Sequence, residues 1–178
     1  MTKWKMVLAF TAIFLALLLG PTSAQAPGET SSGEMLMGYE AGIILITAPT
    51  NIADWSLTPG QDNIAEGSLW VTAIDTGWSV SVSDANSMTG GRMTNYSNGQ
   101  YDSSTKLGAC MGVNATGIRS SGSCVTLDAG GEIAHGPIIS VAERIPIIFN
   151  QTVSWSDPVS APGCVYRIVV TFTASAAE

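Results

Sequence analysis

Trp78-Ser79-Val80-Ser81-Val82-Ser83 alternates a large apolar side chain with a serine at every step. Only an extended strand, whose side chains point to opposite faces in turn, sets Trp78, Val80 and Val82 on one side and the serines on the other. A helix would scatter the same residues around its circumference. The segment therefore reads as a strand with one face in a core and the other toward solvent, as in antiparallel sheets. The last run repeats the pattern, with Tyr166, Ile168, Val170 and Phe172 inward and Val165, Arg167, Val169, Thr171 and Thr173 outward. Ile147, Phe149, Val153 and Trp155 share a parity too. Gln151 falls among them, and a buried amide there needs partners from loop backbone. Further runs at Gly42–Thr47, Ile52–Leu57 and Leu69–Ala73 bring the expected count to about eight or nine strands. That number suffices for an all-β, antiparallel two-sheet β-sandwich of immunoglobulin-like type.

Outward from these strands, the N-terminus reads as an export signal. Lys3 and Lys5 precede an uncharged run of 14 residues from Met6 to Leu19, and Gly20-Pro21 closes it before Thr22, Ser23 and Ala24. A span of the bilayer needs about 20 apolar residues, so a cleavable signal peptide over 1–24 is expected rather than an anchor. Residues 25–41 then read as a flexible leader and 42–178 as the β-sandwich domain, with no membrane span in the mature chain. Of the 7 basic residues the signal takes two, against 14 acidic ones that all remain. A surface this acidic repels phosphate backbones and argues against nucleic acid as a partner. Export implies a secreted or cell-surface location.

Cys110, Cys124 and Cys164 read as disulfide candidates in that setting, since no spacing matches a zinc site. A hairpin centred on Gly117 would set Leu107 opposite Leu127 and Cys110 opposite Cys124, within reach of a bridge. Cys164 is left over, for an intermolecular bond or as a tolerated free thiol. Sequons at Asn95, Asn114 and Asn150 allow glycosylation, with the side chains expected free for attachment.

Constellations for catalysis do not assemble in the sequence. The single histidine, His135, sits in a loop-like Ala134-His135-Gly136-Pro137 context with no nucleophile beside it, and no Gly-x-Ser-x-Gly elbow is present. Carboxylates are spread singly; Asp84-Ala85-Asn86 reads as a solvated turn before it reads as part of a calcium site. No cofactor, metal or enzymatic activity is expected. One long irregular segment, Asp84–Lys106, carries Arg92, Tyr96, Asn98 and Tyr101, and these are the expected binding residues: tyrosine faces for sugar rings, with Arg92, Asn95 and Asn98 donating hydrogen bonds. The competing reading makes Met93 and Tyr96 a lid on the end of the sandwich. Trp70, opposite in parity to Leu69 and Val71, is either covered by loop or leader or else a binding platform.

Several of these stretches resemble a family. Trp55-Ser56-Leu57, Leu69-x-Val71, Trp78–Asp84, Gly91-Arg92-Met93-x-x-Tyr96, Ile147-x-Phe149-x-Gln151-x-Val153 and Tyr166–Thr173 look like uncharacterised secreted β-sandwich surface proteins of methanogenic archaea. More distantly they resemble the WxL-type cell-wall domains, which are noncatalytic and surface-attached. That family carries two Trp-x-Leu motifs and this chain one, so peptidoglycan attachment does not carry over. Two functions from different classes follow: a structural or adhesive surface protein whose partners are like subunits (a homo-oligomer) or a cell-surface polymer, or a carbohydrate-binding module using the 84–106 loop.

Overall fold

The computed structural model describes residues 34–39 and 42–177. The expected signal peptide, 1–24, lies outside the described residues. These form twelve strands and no helix: β1 (Glu34–Tyr39), β2 (Gly42–Thr47), β3 (Gln61–Ile74), β4 (Gly77–Asp84), β5 (Thr94–Ser97), β6 (Gln100–Lys106), β7 (Gly112–Ala115), β8 (Val125–Thr126), β9 (Gly131–Gly136), β10 (Ile139–Val153), β11 (Val165–Arg167) and β12 (Val170–Ala177). Every pairing is antiparallel. One six-stranded sheet runs β1-β2-β3-β10-β7-β8, and two three-stranded sheets run β12-β4-β9 and β11-β5-β6.

Alternation in the sequence becomes layering in space. Ile44, Ile46, Leu69, Val71, Ala73, Ile145, Ile147 and Phe149 on the inner face of the large sheet share one core with Trp78, Val80, Val82, Ile133, Phe172 and Ala174 of the β12-β4-β9 sheet. Two sheets that face each other across a common apolar layer are consistent with a β-sandwich. Its spine is the β3–β10 ladder, which runs in register from Val153↔Gln61 to Ile139↔Ile74 and slips once, between Ser140 and Glu143. At that β-bulge Ala142 takes a φ of 46° and its N–H donates to Thr72 Oγ1 at 3.0 Å.

The bulge brings Ser140 and Glu143 to the same inner side and seals that end of the core with a polar chain. Trp78, fully buried, donates from Nε1 to Ser140 Oγ at 3.0 Å, and Ser140 Oγ donates to Glu143 Oε2 at 2.9 Å. Glu143 Oε1 in turn accepts from Arg119 Nε at 2.6 Å. The Arg119 hydrogen bond is the chief reason that the Glu143 carboxyl lies below the usual carboxylate range, with burial opposing it and Ser140 assisting. Gln151 and Asn63, register partners across the ladder, do the same work elsewhere on the inner face. Gln151 Nε2 donates to the Ala109 and Thr152 carbonyls at 3.1 and 2.9 Å, the loop clasp its parity called for. Asn63 Nδ2 donates to the carbonyls of Thr58, Gln61 and Gln151, while its Oδ1 accepts from Thr58 N–H at 2.6 Å.

Several expectations are corrected. Strand β1 falls inside 25–41, so the sheet begins within the stretch expected to be a leader. Ile52–Leu57 forms no strand; Pro49 and Pro59 bracket it and Asp54 has a φ of 57°, which breaks an extended ladder. The final run divides at Ile168-Val169 between two sheets, β11 pairing with β5 and β12 with β4. Trp155 is 82% exposed rather than inward, because β10 stops at Val153 and a turn follows, closed by Asp157 accepting from Ser154 N–H. His135 lies in β9, not in a loop, and is exposed beside Glu132. Gly42–Thr47 is apolar on both faces but fully buried on one: Ile44 and Ile46 are buried, Ile43 and Leu45 half-buried.

The hairpin between the first two cysteines exists, but its register is shifted. Gly112 pairs with Thr126 and Val113 with Val125, and the Leu127 N–H donates to the Met111 carbonyl. Carried along, this register sets Cys110 opposite Asp128 and Cys124 opposite Asn114. The two cysteines are then four ladder steps out of step, about 13 Å along the strand, beyond the roughly 7 Å that a bridge tolerates. Core packing dictates this: Met111, Val113 and Leu127 are all buried in the observed pairing. All three cysteines are free thiols in the structure.

Candidate functional site

The segment read as a long loop is mostly a hairpin. Asp84 organises its entrance: Oδ1 accepts from Asn86 N–H at 3.0 Å, Oδ2 from Gly91 N–H at 2.6 Å and from the buried Thr89 hydroxyl. Those donors make Asp84 the anchor of the turn. Gly91 has no substitute there, since a Cβ would meet the Asp128 backbone nitrogen at 2.3 Å and its φ is +74°. From this turn β5 and β6 run back to back through Asn98 (φ 50°) and Gly99 (φ 82°), both left-handed, the pair of conformations a two-residue hairpin turn demands.

That turn fixes Tyr96 directly across from Tyr101. Their rings lie 4.9 Å apart, tilted by 60°, and the Arg167 guanidinium sits 4.5 Å from the centre of the Tyr96 ring. Both tyrosines are half-buried; the Tyr101 hydroxyl is buried without a hydrogen-bond partner, and burial pushes its pKa up, with Arg167 opposing. Arg167 and Tyr101 thus crowd the ring that a sugar would stack on. Of the expected binding residues, the structure brings Tyr96 and Tyr101 together. Arg92 and Asn98 are exposed in turns at the two ends of β5, and Arg167 is the partner the sequence reading missed.

Asn95 is 8% exposed, with its Oδ1 accepting from Ser160 Oγ at 3.1 Å. This contradicts the expectation of a side chain free for a glycan. Neighbouring Tyr96 takes the opposite face of β5, so Asn95 must point in wherever Tyr96 points out. Asn114 and Asn150 instead lie on the outer face of the large sheet, both half-buried.

That outer face is the second surface of interest. Trp70, 43% exposed, is paired across the ladder with Arg144; Ser68 with Pro146, Glu66 with Ile148 and Ile64, 60% exposed, with Asn150. Parity assigned Trp70 to this side; that Ile64, Pro146 and Ile148 join it needed the β3–β10 register. At the far edge a Cβ on Gly112 would meet Cys124 Sγ at 2.8 Å, placing that exposed thiol on the same face.

No protein-family model matches the chain, and no curated protein does. One solved structure, described as a chaperone-tip adhesin complex vital for synergistic activation of CFA/I fimbriae biogenesis, is similar at 15% identity and a TM-score of 0.40. The likeness covers 80% of this chain and 43% of that one, so the chain spans less than half of its neighbour's length. At that TM-score it transfers neither topology nor role. Among the described residues, no helix is long and apolar enough to cross a membrane, and no three potential ligands gather as for a metal.

Proposed function

We propose that this chain is a noncatalytic protein of the secreted or cell-surface compartment, with a structural or adhesive role exercised through its sheet surfaces. The observation that carries the reading is the outer face of the six-stranded sheet, where Ile64 and Trp70 stand exposed beside Pro146 and Ile148 on rigid strands. Large apolar groups on a flat, ladder-held face suit contact with another macromolecule, and contiguous patches of this kind are unusual on proteins that work alone. The Lys3–Ala24 pattern supports export, and the resemblance to surface β-sandwich proteins of methanogenic archaea, and distantly to WxL-type domains, points the same way. Surface labelling of intact cells with a membrane-impermeant amine or thiol reagent tests the location. Labelling only after lysis overturns it.

The second reading, a carbohydrate-binding module on the 84–106 hairpin, draws on the Tyr96–Tyr101 pair and the exposed Arg92 and Asn98 nearby. Retention on immobilised polysaccharide, lost in a Tyr96→Ala/Tyr101→Ala variant that still folds, is its signature. No retention of the wild-type chain on any cell-surface polymer removes it.

A further inference from the structure

We infer that the outer face of the six-stranded sheet is a two-fold interface between two copies of this chain, with Ser68 and Pro146 on its axis. The face is self-complementary in its rows. Two ladder steps to one side of the Ser68↔Pro146 row lie Trp70 and Arg144; two steps to the other lie Glu66 and Ile148. A two-fold axis lying between two stacked sheets and crossing the strands at Ser68 and Pro146 exchanges these rows. Trp70 of each copy then covers Glu66 of the other, and the backbone of Arg144 lies over that of Ile148, one strand spacing, about 4.8 Å, to the side of that glutamate.

Charge is complementary on the same terms. Neither Arg144 nor Glu66 has an ion-pair partner among the described residues, where the pairs present are Arg119–Glu143 and His135–Glu132. Among the described residues Arg144 is held through its Nε, which donates to Ser68 Oγ at 2.8 Å, so its guanidinium rests toward the axis. Among the described residues of its own copy each charge is unpaired; against a second copy each arginine, swinging from Ser68, reaches a glutamate. The chain as a whole carries a formal charge of -7, so two copies repel unless their contact is locally neutralised, as this row arrangement does.

The size also fits. From Asp62 to Ile74 the face extends about 40 Å, and at three to four strands wide it measures roughly 15 to 19 Å across, or about 600 to 800 Å². Standard interfaces bury about 800 Å² per partner. The inference deepens the surface-protein reading by naming the partner. The two fail separately: a monomer at the cell surface defeats only the dimer, and a dimer that stays inside the cell defeats only the location.

Charge reversal tests it. Sedimentation equilibrium of the purified full-length chain is expected to show a dimer, with Arg144→Glu and Glu66→Arg each weakening association about tenfold or more. The double variant, which restores both pairs with their signs exchanged, is expected to recover the wild-type dissociation constant within about threefold. Both positions are exposed, so loss of folding does not confound the cycle, and far-UV circular dichroism checks this. A wild-type monomer at high concentration overturns the inference, whether the face is free or covered by residues 1–33. So does a dimer indifferent to both single reversals, or a failure of the double variant to recover. A glycan on Asn114 or Asn150, found by mass spectrometry, occupies the face and overturns it as well.

Discussion

Gly136→Ala is expected to be among the most damaging single-methyl changes in this protein. Gly136 pairs with Trp78 across the β4–β9 ladder, and the indole lies over it. A Cβ there would stand 2.3 Å from Trp78 Cζ2, 2.4 Å from Cε2 and 2.6 Å from Nε1, where ordinary contact begins near 3.4 Å. The ring must therefore retreat by about 1 Å within a core that leaves it no exposed surface. Overpacking of this kind costs about 1–3 kcal/mol. Moving Nε1 away from Ser140 adds about 1–3 kcal/mol for the orphaned donor, and the stiffer unfolded chain returns about 0.4–1 kcal/mol. The net loss of about 1–5 kcal/mol corresponds to a fall in Tm of about 3–20 °C in a domain of this size. Thermal melts followed by near-ultraviolet circular dichroism read both the stability and the Trp78 environment. Gly117→Ala is the control, with φ +87° but nothing within 4 Å, and is expected to cost only about 1 kcal/mol. A Gly136→Ala protein that melts within about 2 °C of wild type, or no lower than Gly117→Ala, refutes the wedge argument.

Further outcomes are expected. Because the folded-state pKa of Glu143 lies below its unfolded value of about 4.3, its contribution to stability is complete above that value and disappears as pH falls through the folded pKa; Glu143→Gln should flatten this limb in Tm measured from pH 7 to 3. Replacing Tyr96 and Tyr101 together with alanine should lower stability by about 1–3 kcal/mol in urea titrations, through loss of the ring pair and the Arg167 contact, whereas an unchanged midpoint would show that they are free surface groups. Peptide mapping without reduction should show no Cys110–Cys124 bridge in the folded chain; finding one would mean a β7–β8 register four steps from that of Val113↔Val125.

Side-chain alternation made β4, most of β10 and the inward set of the core readable from the sequence, because a two-residue period has one physical interpretation. Loop chemistry was less well read. Asn98-Gly99, between Ser97 and Gln100, is a strong short-range hairpin signal, yet the surrounding serines, asparagines and glycines made 84–106 look irregular. Parity could place Cys110 and Cys124 on facing strands but could not count ladder steps, since a slip by an even number of residues preserves every face. What settled the register was the fit of Met111 and Leu127 in the core, a long-range constraint. The Tyr96–Arg167 contact is likewise invisible locally, joining β5 to a strand that the sequence presented as one piece with β12. The outer sheet face could be read only in part, through Trp70, because its other members become neighbours only once β3 and β10 are aligned.

The β-bulge at Val141–Ala142 means that β10 is one residue longer than its partner over the same distance. Ser140 pairs with Ala73 and Glu143 with Val71, so two residues of β10 share the space opposite Thr72. Removing either one yields an unbroken ladder in which Ile145, Ile147, Phe149, Gln151 and Val153 still face the core. Removal of a residue anywhere from Arg144 to Thr152 instead turns part of that series inside out. The reading frame of this long strand thus has a single spare position. Among relatives of different length, that is where the spine of the fold can lose a residue without exchanging its inside for its outside.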